Sequence, residues 1–258
     1  MAAPLRVLEP VAHSAQKDSP LRSLTTPTHS YRNRILASLP GHEIARLAPH
    51  LSPILLEHNH PLLEDGQIVA NAYFLEDGIA SIVMTTEDGK TVEAGIVGRC
   101  GMVGIPVLLG TQSMPGRTFI QIPGSGFRIP AEIVSGEFER PGEFRRGLLR
   151  YLQAQLVQTS QTAACNRVHD IEQRLARWLL LCRDRMDSDD LCLTQEFVGQ
   201  MLGAPRTTVT LVVGLLQKVG LIDSSRGHIL ILNRTGLEDI ACECYRVISA
   251  EYARLAMR

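Results

Sequence analysis

The sequence lacks any apolar run long enough to span a membrane, and its first thirty residues lack the apolar core of a secretory signal. Both absences predict a cytoplasmic protein with no membrane partner. Its six cysteines (Cys100, Cys165, Cys182, Cys192, Cys242 and Cys244) are then expected to be reduced thiols. Charge of either sign is not in excess: 26 Lys and Arg face 27 Asp and Glu, which excludes a polycation that coats DNA but not a site-specific binder. Residues 31–130 contain no grouping of nucleophile, base and acid, so catalysis is not expected. Metal ligands are also sparse. His58-Asn59-His60 would set two imidazoles on one face of a strand without third and fourth ligands. Cys242 and Cys244, read as i and i+2 on a helix, would point to different faces. No metal is therefore expected. Cys100 or Cys165 could serve as a redox-sensing thiol or be an ordinary buried cysteine.

What is present divides the chain. With 45% hydrophobic residues in 258, there is enough apolar material for two domains. Residues 1–30, with Pro4, Pro10, Pro20 and Pro27 spread through them, read as a flexible arm. A short helical piece spans 33–51. From 54 to 130 short strand candidates alternate with turn signals such as Asp65-Gly66, Asp77-Gly78 and Asp88-Gly89. That punctuation predicts an all-β barrel or roll.

After Pro141 the pattern becomes one long helix, with no proline or glycine between positions 148 and 185. Leu149, Leu152, Leu156, Thr159 and Ala163 recur at three- and four-residue steps, the seam of a coiled coil. The seam could lie against the chain's own β-roll or against a second copy.

The stretch 193–222 predicts two helices around a tight corner. Thr194 is a suitable N-cap, Gly203 a suitable helix stop, and Pro205 suits the first position of the next helix. That second helix directs Val209, Val212, Val213, Leu216 and Val219 inward and leaves Arg206, Thr207, Thr208, Thr210 and Leu211 near its exposed start. A hairpin with the polar tip 223–227, including Ser225 and Arg226, follows directly. Residues 204–234 carry Arg206, Lys218, Arg226 and Arg234 against Asp223, a local net charge of +3 in a chain of net −1. These are the parts of a winged helix-turn-helix.

The order of β-roll, long helix and winged helix resembles the Crp/Fnr family of bacterial transcription regulators. The resemblance covers about residues 31–235 and rests on 193–222, on Tyr73-Phe74-Leu75-Glu76-Asp77-Gly78 and on 168–176 at the end of the long helix. It implies an α+β fold: an N-terminal double-stranded β-roll over 31–140, a dimerisation helix over 141–173 and a DNA-binding domain over 174–258 that ends in an extra helix. It further implies a homodimer on double-stranded DNA, with RNA polymerase as partner. Pro205, Arg206, Thr207, Thr208 and Leu211 fall at the family's base- and phosphate-contacting positions, where Arg206 suits guanine O6 and N7.

For an effector, Gly101-Met102-Val103-Gly104 and Arg117-Thr118 resemble the two halves of the family's cyclic-nucleotide phosphate grip. Thr159-Ser160 resembles its adenine contact. Met102 stands where the ribose-binding glutamate is required and cannot accept that hydrogen bond, so a cyclic nucleotide is a doubtful cofactor, and another small ligand or none stays open. The family's N-terminal iron–sulfur ligands have no counterpart before Cys100, and Val103 stands where a haem-binding histidine would be needed. A different class of reading is a ligand-binding or protein-interaction module with a degenerate winged helix. Salt dependence of DNA binding separates the two.

Overall fold

The structure, a computed structural model, describes residues 30–255, so all but the last residue of the expected arm lies outside the described range. The described chain opens with helices α1 (Arg34–Ala37) and α2 (Gly41–Leu47). Asn33 caps α1 by accepting from the Ile35 and Leu36 amides, while its Nδ2 donates to Leu75 O at 3.0 Å and Gly101 O at 2.9 Å. A fully buried amide therefore pins this helix to the roll.

The roll is built from strands β1 (Ser52–Leu56), β2 (Pro61–Leu63), β3 (Asn71–Leu75) and β4 (Ile79–Thr85). It continues through β5 (Thr91–Val97), β6 (Met102–Val103), β7 (Arg117–Ile122) and β8 (Gly124–Pro130). They pair antiparallel in two four-stranded sheets, ordered β1-β8-β3-β6 and β2-β7-β4-β5. Phe74, Ile79, Ile96, Phe119, Ile122, Phe127 and Ile129 fill one continuous core. The Asp-Gly steps do what their chemistry predicts: Gly78 turns at φ 82°, and a Cβ there would lie 2.6 Å from Ile122 O. His58 and Asn59 occupy the turn between β1 and β2, with Asn59 at φ 63°, so the expected strand face bearing His58 and His60 does not form.

Helix α3 (Ala131–Glu139) leads into α4 (Glu143–Val168). The α4 N-terminus is capped from a distance, by the Glu43 carboxylate accepting from the amides of Glu143 (2.9 Å) and Phe144 (2.8 Å). At 26 residues α4 is about 39 Å long. It does not run on toward Arg185 as the lack of proline and glycine implied. His169 leaves helical geometry, and Asp170 starts α5 (Ile171–Met186) with a capping box completed by Gln173. A side-chain cap breaks this helix, not a backbone-limited residue.

The C-terminal part contains β9 (Asp190–Leu191), α6 (Gln195–Leu202), α7 (Arg206–Lys218), β10 (Ile222–Ser225), β11 (His228–Ile231), α8 (Arg234–Ile240) and α9 (Cys244–Arg254). Strand β9 adds to the hairpin, giving the sheet order β10-β11-β9. The final helix folds back onto α4, with Tyr252 Oη donating to Gln155 Oε1 at 2.8 Å and the Arg185 guanidinium 4.0 Å from the Tyr252 ring centre. Among the described residues no helix is long and apolar enough to cross a membrane.

Candidate nucleic-acid interface

Thr194 accepts from the Phe197 amide at 3.2 Å and so starts α6. Gly203 ends it at φ 60°, and the corner is tight: a Cβ on Gly199 would lie 3.0 Å from Ala204 O. Pro205 sits at the N-cap of α7, one residue before the expected position, and Arg206 begins the helix. Val209, Val212, Val213 and Leu216 are buried, as the spacing predicts. Val219 is not; α7 has already ended at Lys218, and the side chain is 64% exposed.

Around the start of α7, Pro205, Arg206, Thr207, Thr210 and Leu211 are exposed, and Thr208 is half-buried. Arg206 lies 3.9 Å from Glu196, both well solvated, a pairing too weak to hold the guanidinium against a competing acceptor. Thr210 donates to Gln195 at 2.9 Å, which links the two helices of the corner. In the hairpin, Arg226 (φ 49°) and Gly227 (φ 84°) both adopt the left-handed conformation that a two-residue turn between twisted strands requires. The turn leaves Ser225 and Arg226 exposed at its tip. Of the four local cations, Arg234 is engaged elsewhere, with Glu238 at 2.7 Å and Asp184 at 3.2 Å. Arg206, Lys218 and Arg226 remain exposed.

The expected effector residues are not gathered around one space. Gly101, Met102, Val103 and Gly104 are buried in the β3–β6 sheet. Tyr151 of α4 lies over them, donating to Met102 O at 3.0 Å, and a Cβ on Gly101 would lie 2.4 Å from its ring. Arg117 belongs to the other sheet, where it reaches Glu64 at 3.4 Å and stacks 5.1 Å over Phe119. It lines a cleft of about 920 Å³ between the roll and the winged helix, beside His58, Phe197 and Arg226. Thr118 is buried, while Thr159 and Ser160 are exposed on α4. The Tyr151 ring, which the motif spacing did not reveal, lies against the backbone expected to grip a phosphate.

Between roll and α5 lies a buried polar group of residues that sequence reasoning missed. Glu93 on β5 accepts from Trp178 Nε1 at 2.7 Å and from Ser81 Oγ at 2.8 Å. Burial pushes its carboxyl up to about 7, although these hydrogen bonds and the charges of Arg177 and Arg185 act the other way. Arg185 donates to Gln158 of α4 at 2.7 Å. The only signal in the sequence is a lone glutamate in an otherwise apolar strand. Cys242 and Cys244 also depart from expectation: α9 begins at Cys244, so the two cysteines flank a turn and do not diverge around a helix.

The α4 stripe faces outward. Leu149 and Leu156 are 47% and 63% exposed, Thr159 and Ala163 are exposed, and Leu152 is half-buried. The opposite face of α4, including Phe144, Leu148 and Tyr151, makes the contact with the core.

Residues 173–240 match the Crp-like helix-turn-helix domain. This part of the chain is a Crp-like helix-turn-helix domain, the DNA-binding part of a transcription regulator. The chain's sequence is similar to the global nitrogen regulator of Synechococcus elongatus, 26% identical over 70% of this chain and 86% of the relative. The fold of this regulator is shared with a Crp/Fnr regulator of Thermus thermophilus (TM-score 0.60, 21% identity, covering 74% of this chain and 98% of that one). It is also shared with the c-di-GMP-responsive global regulator CLP of Xanthomonas campestris (TM-score 0.61, 16% identity, 74% and 99% coverage). The winged helix therefore serves DNA binding.

Proposed function

We propose that the regulator acts as a homodimer whose α4 helices pair along Leu149, Leu152, Leu156, Thr159 and Ala163, presenting two α7 helices to successive major grooves about 34 Å apart. The observation that carries this reading is the outward-facing leucine stripe on a helix whose other face is already buried. Unpartnered leucines at that spacing gain from self-association. In each protomer Arg206 reads a guanine edge, Thr207 or Leu211 meets a thymine methyl, and Thr194, Thr208, Thr210, Ser225 and Arg226 hold the backbone. RNA polymerase is the expected protein partner of the bound dimer, in the cytoplasm.

In this reading the protein is a regulator and not an enzyme, and its roll does not take a cyclic nucleotide at Gly101–Gly104. Met102 in place of a glutamate and the Tyr151 ring across Gly101 support that choice. Titration with cyclic AMP is expected to leave operator affinity unchanged; a tenfold gain would overturn it. A second reading, a protein-docking winged helix, is favoured by the exposed row Leu211, Leu215 and Val219 along α7. Fluorescence anisotropy with duplex DNA at rising salt, alongside sedimentation, tests the two. Steep weakening by a dimer supports phosphate-anchored DNA reading. A monomer with no measurable affinity at low salt contradicts it.

A further inference from the structure

Four side chains suited to metal binding meet at the joint between α4 and α5, away from the DNA-reading surface. Cys165 lies in the last turn of α4, and His169 follows four residues later as its C-cap, so both leave the same side of the helix end. Cys242 and Cys244 come from the turn that opens α9. The ligand atoms of all four lie within 4.8 Å of one another. Cys165 Sγ is 3.5 Å from Cys242 Sγ, and Cys244 Sγ is 3.7 Å from His169 Nδ1. All three cysteines are buried and none is in a disulfide.

These separations have the scale of one coordination sphere. A tetrahedral zinc ion, with bonds of about 2.3 Å to sulfur and 2.0 Å to nitrogen, sets its ligand atoms roughly 3.5–3.8 Å apart. The histidine is also oriented for the task. Its Nε2 faces the Glu243 carboxylate at 3.3 Å, which directs the N–H outward and leaves the Nδ1 lone pair toward the sulfurs. A carboxylate behind the imidazole is the usual way a protein fixes a metal-bound histidine.

Charge is provided for as well. Three thiolates and a neutral imidazole around a divalent ion leave one negative charge. Arg177, 3% exposed, donates to Thr162 Oγ1 at 3.4 Å, one turn before Cys165, and so sets a buried positive charge near the cluster. Its Nε has no hydrogen-bond partner among the described residues.

We propose that Cys165, His169, Cys242 and Cys244 bind one zinc ion in a closed, structural site that fastens the end of α4 to the start of α9. Three thiolates select a thiophilic ion, and four protein ligands complete its tetrahedron without an open position for substrate. The three thiols release their protons to solvent as the ion enters. The clasp holds the break between α4 and α5, where the chain passes into the DNA-reading domain. It also seats α9, whose Tyr245 donates to Asp184 of α5 at 2.9 Å.

The test is cobalt(II) titration of the full-length, reduced, chelator-treated protein, followed by displacement with zinc. Expected is saturation at one equivalent, a thiolate-to-cobalt charge-transfer band and the intense visible bands of a tetrahedral ion, all erased by zinc. Cys192→Ser, which alters an exposed cysteine outside the cluster, should leave the spectrum unchanged. Cys244→Ser and His169→Ala should each shift or abolish it, and circular dichroism reports whether they fold. Zinc should also raise the melting temperature of the apo-protein by several degrees. No tetrahedral spectrum from the folded, reduced wild type would overturn the site, as would an unaltered spectrum in folded Cys244→Ser. A Cys165–Cys242 disulfide that re-forms after reduction and blocks all metal uptake would overturn it too. The readout uses no DNA, so it stands or fails independently of the regulator's DNA binding.

Discussion

Trp178 donates its indole N–H to the Glu93 carboxylate at 2.7 Å, tying helix α5, which leads into the DNA-reading domain, to strand β5 of the roll. Around this bond stand Ser81 and Gln121 from the roll, Cys182, Arg177 and Arg185 from α5 and, through Arg185, Gln158 from α4. Any rearrangement of roll against reader has to act on this buried group.

Its pH dependence has a definite sign. Burial raises the Glu93 carboxyl to about 7, above its usual value of 4.5, so the folded state binds the proton more tightly than the unfolded one. The resulting stabilisation is fully present below pH 4.5 and is lost as pH rises through about 7. Trp178 is the one tryptophan of the chain, so its fluorescence reports the site directly. A transition centred near pH 7 is expected in the wild type and none in Glu93→Gln. An identical titration in both would assign it elsewhere.

Arg206→Ala should remove one bidentate base contact. The expected cost is about 1–3 kcal/mol on cognate DNA, with little change on scrambled DNA. The dimer should persist in sedimentation. Equal discrimination by wild type and variant would remove Arg206 from the reading head.

Arg226→Ala should behave differently if, as proposed, the wing tip holds phosphate and not bases. Affinity should fall on all sequences alike, and the salt slope should shrink by about one. Loss of sequence preference without a change of slope would contradict that role.

Leu149→Glu with Leu156→Glu places charges along the exposed stripe of α4, where the monomer loses little because both residues largely face solvent. The fold should survive, while the dimer dissociates. Binding to a two-fold site should weaken about a hundredfold or more as two linked half-site contacts become one. A doubly substituted protein that still sediments as a dimer would place the interface elsewhere.

Local chemistry explains which parts are legible in the sequence. The Asp-Gly turns, the Thr194 cap, the Gly203 stop and the period of Val209, Val212, Val213 and Leu216 act within a few residues, so a linear reading finds them. Asp170 is less visible, since an aspartate ends a helix only through its partnership with Gln173. A long-range contact is not legible either: Tyr151, about fifty residues from Gly101 in sequence, covers its backbone. The Cys165–His169–Cys242–Cys244 cluster is hidden for the same reason, because the return of α9 onto α4 cannot be read from spacing. Val219 continues the apolar period of α7 but lies just past its last turn, so periodicity alone assigns it to the wrong side.

The regulator is proposed to read a two-fold DNA site with two copies of α7. Selection of random duplex DNA by the purified, ligand-free protein tests it most directly. Expected is an enriched palindrome whose half-sites lie one helical turn apart and whose guanine preference disappears with Arg206→Ala. Enrichment of a single unpaired half-site, or of nothing at all by protein shown to be folded, would contradict it.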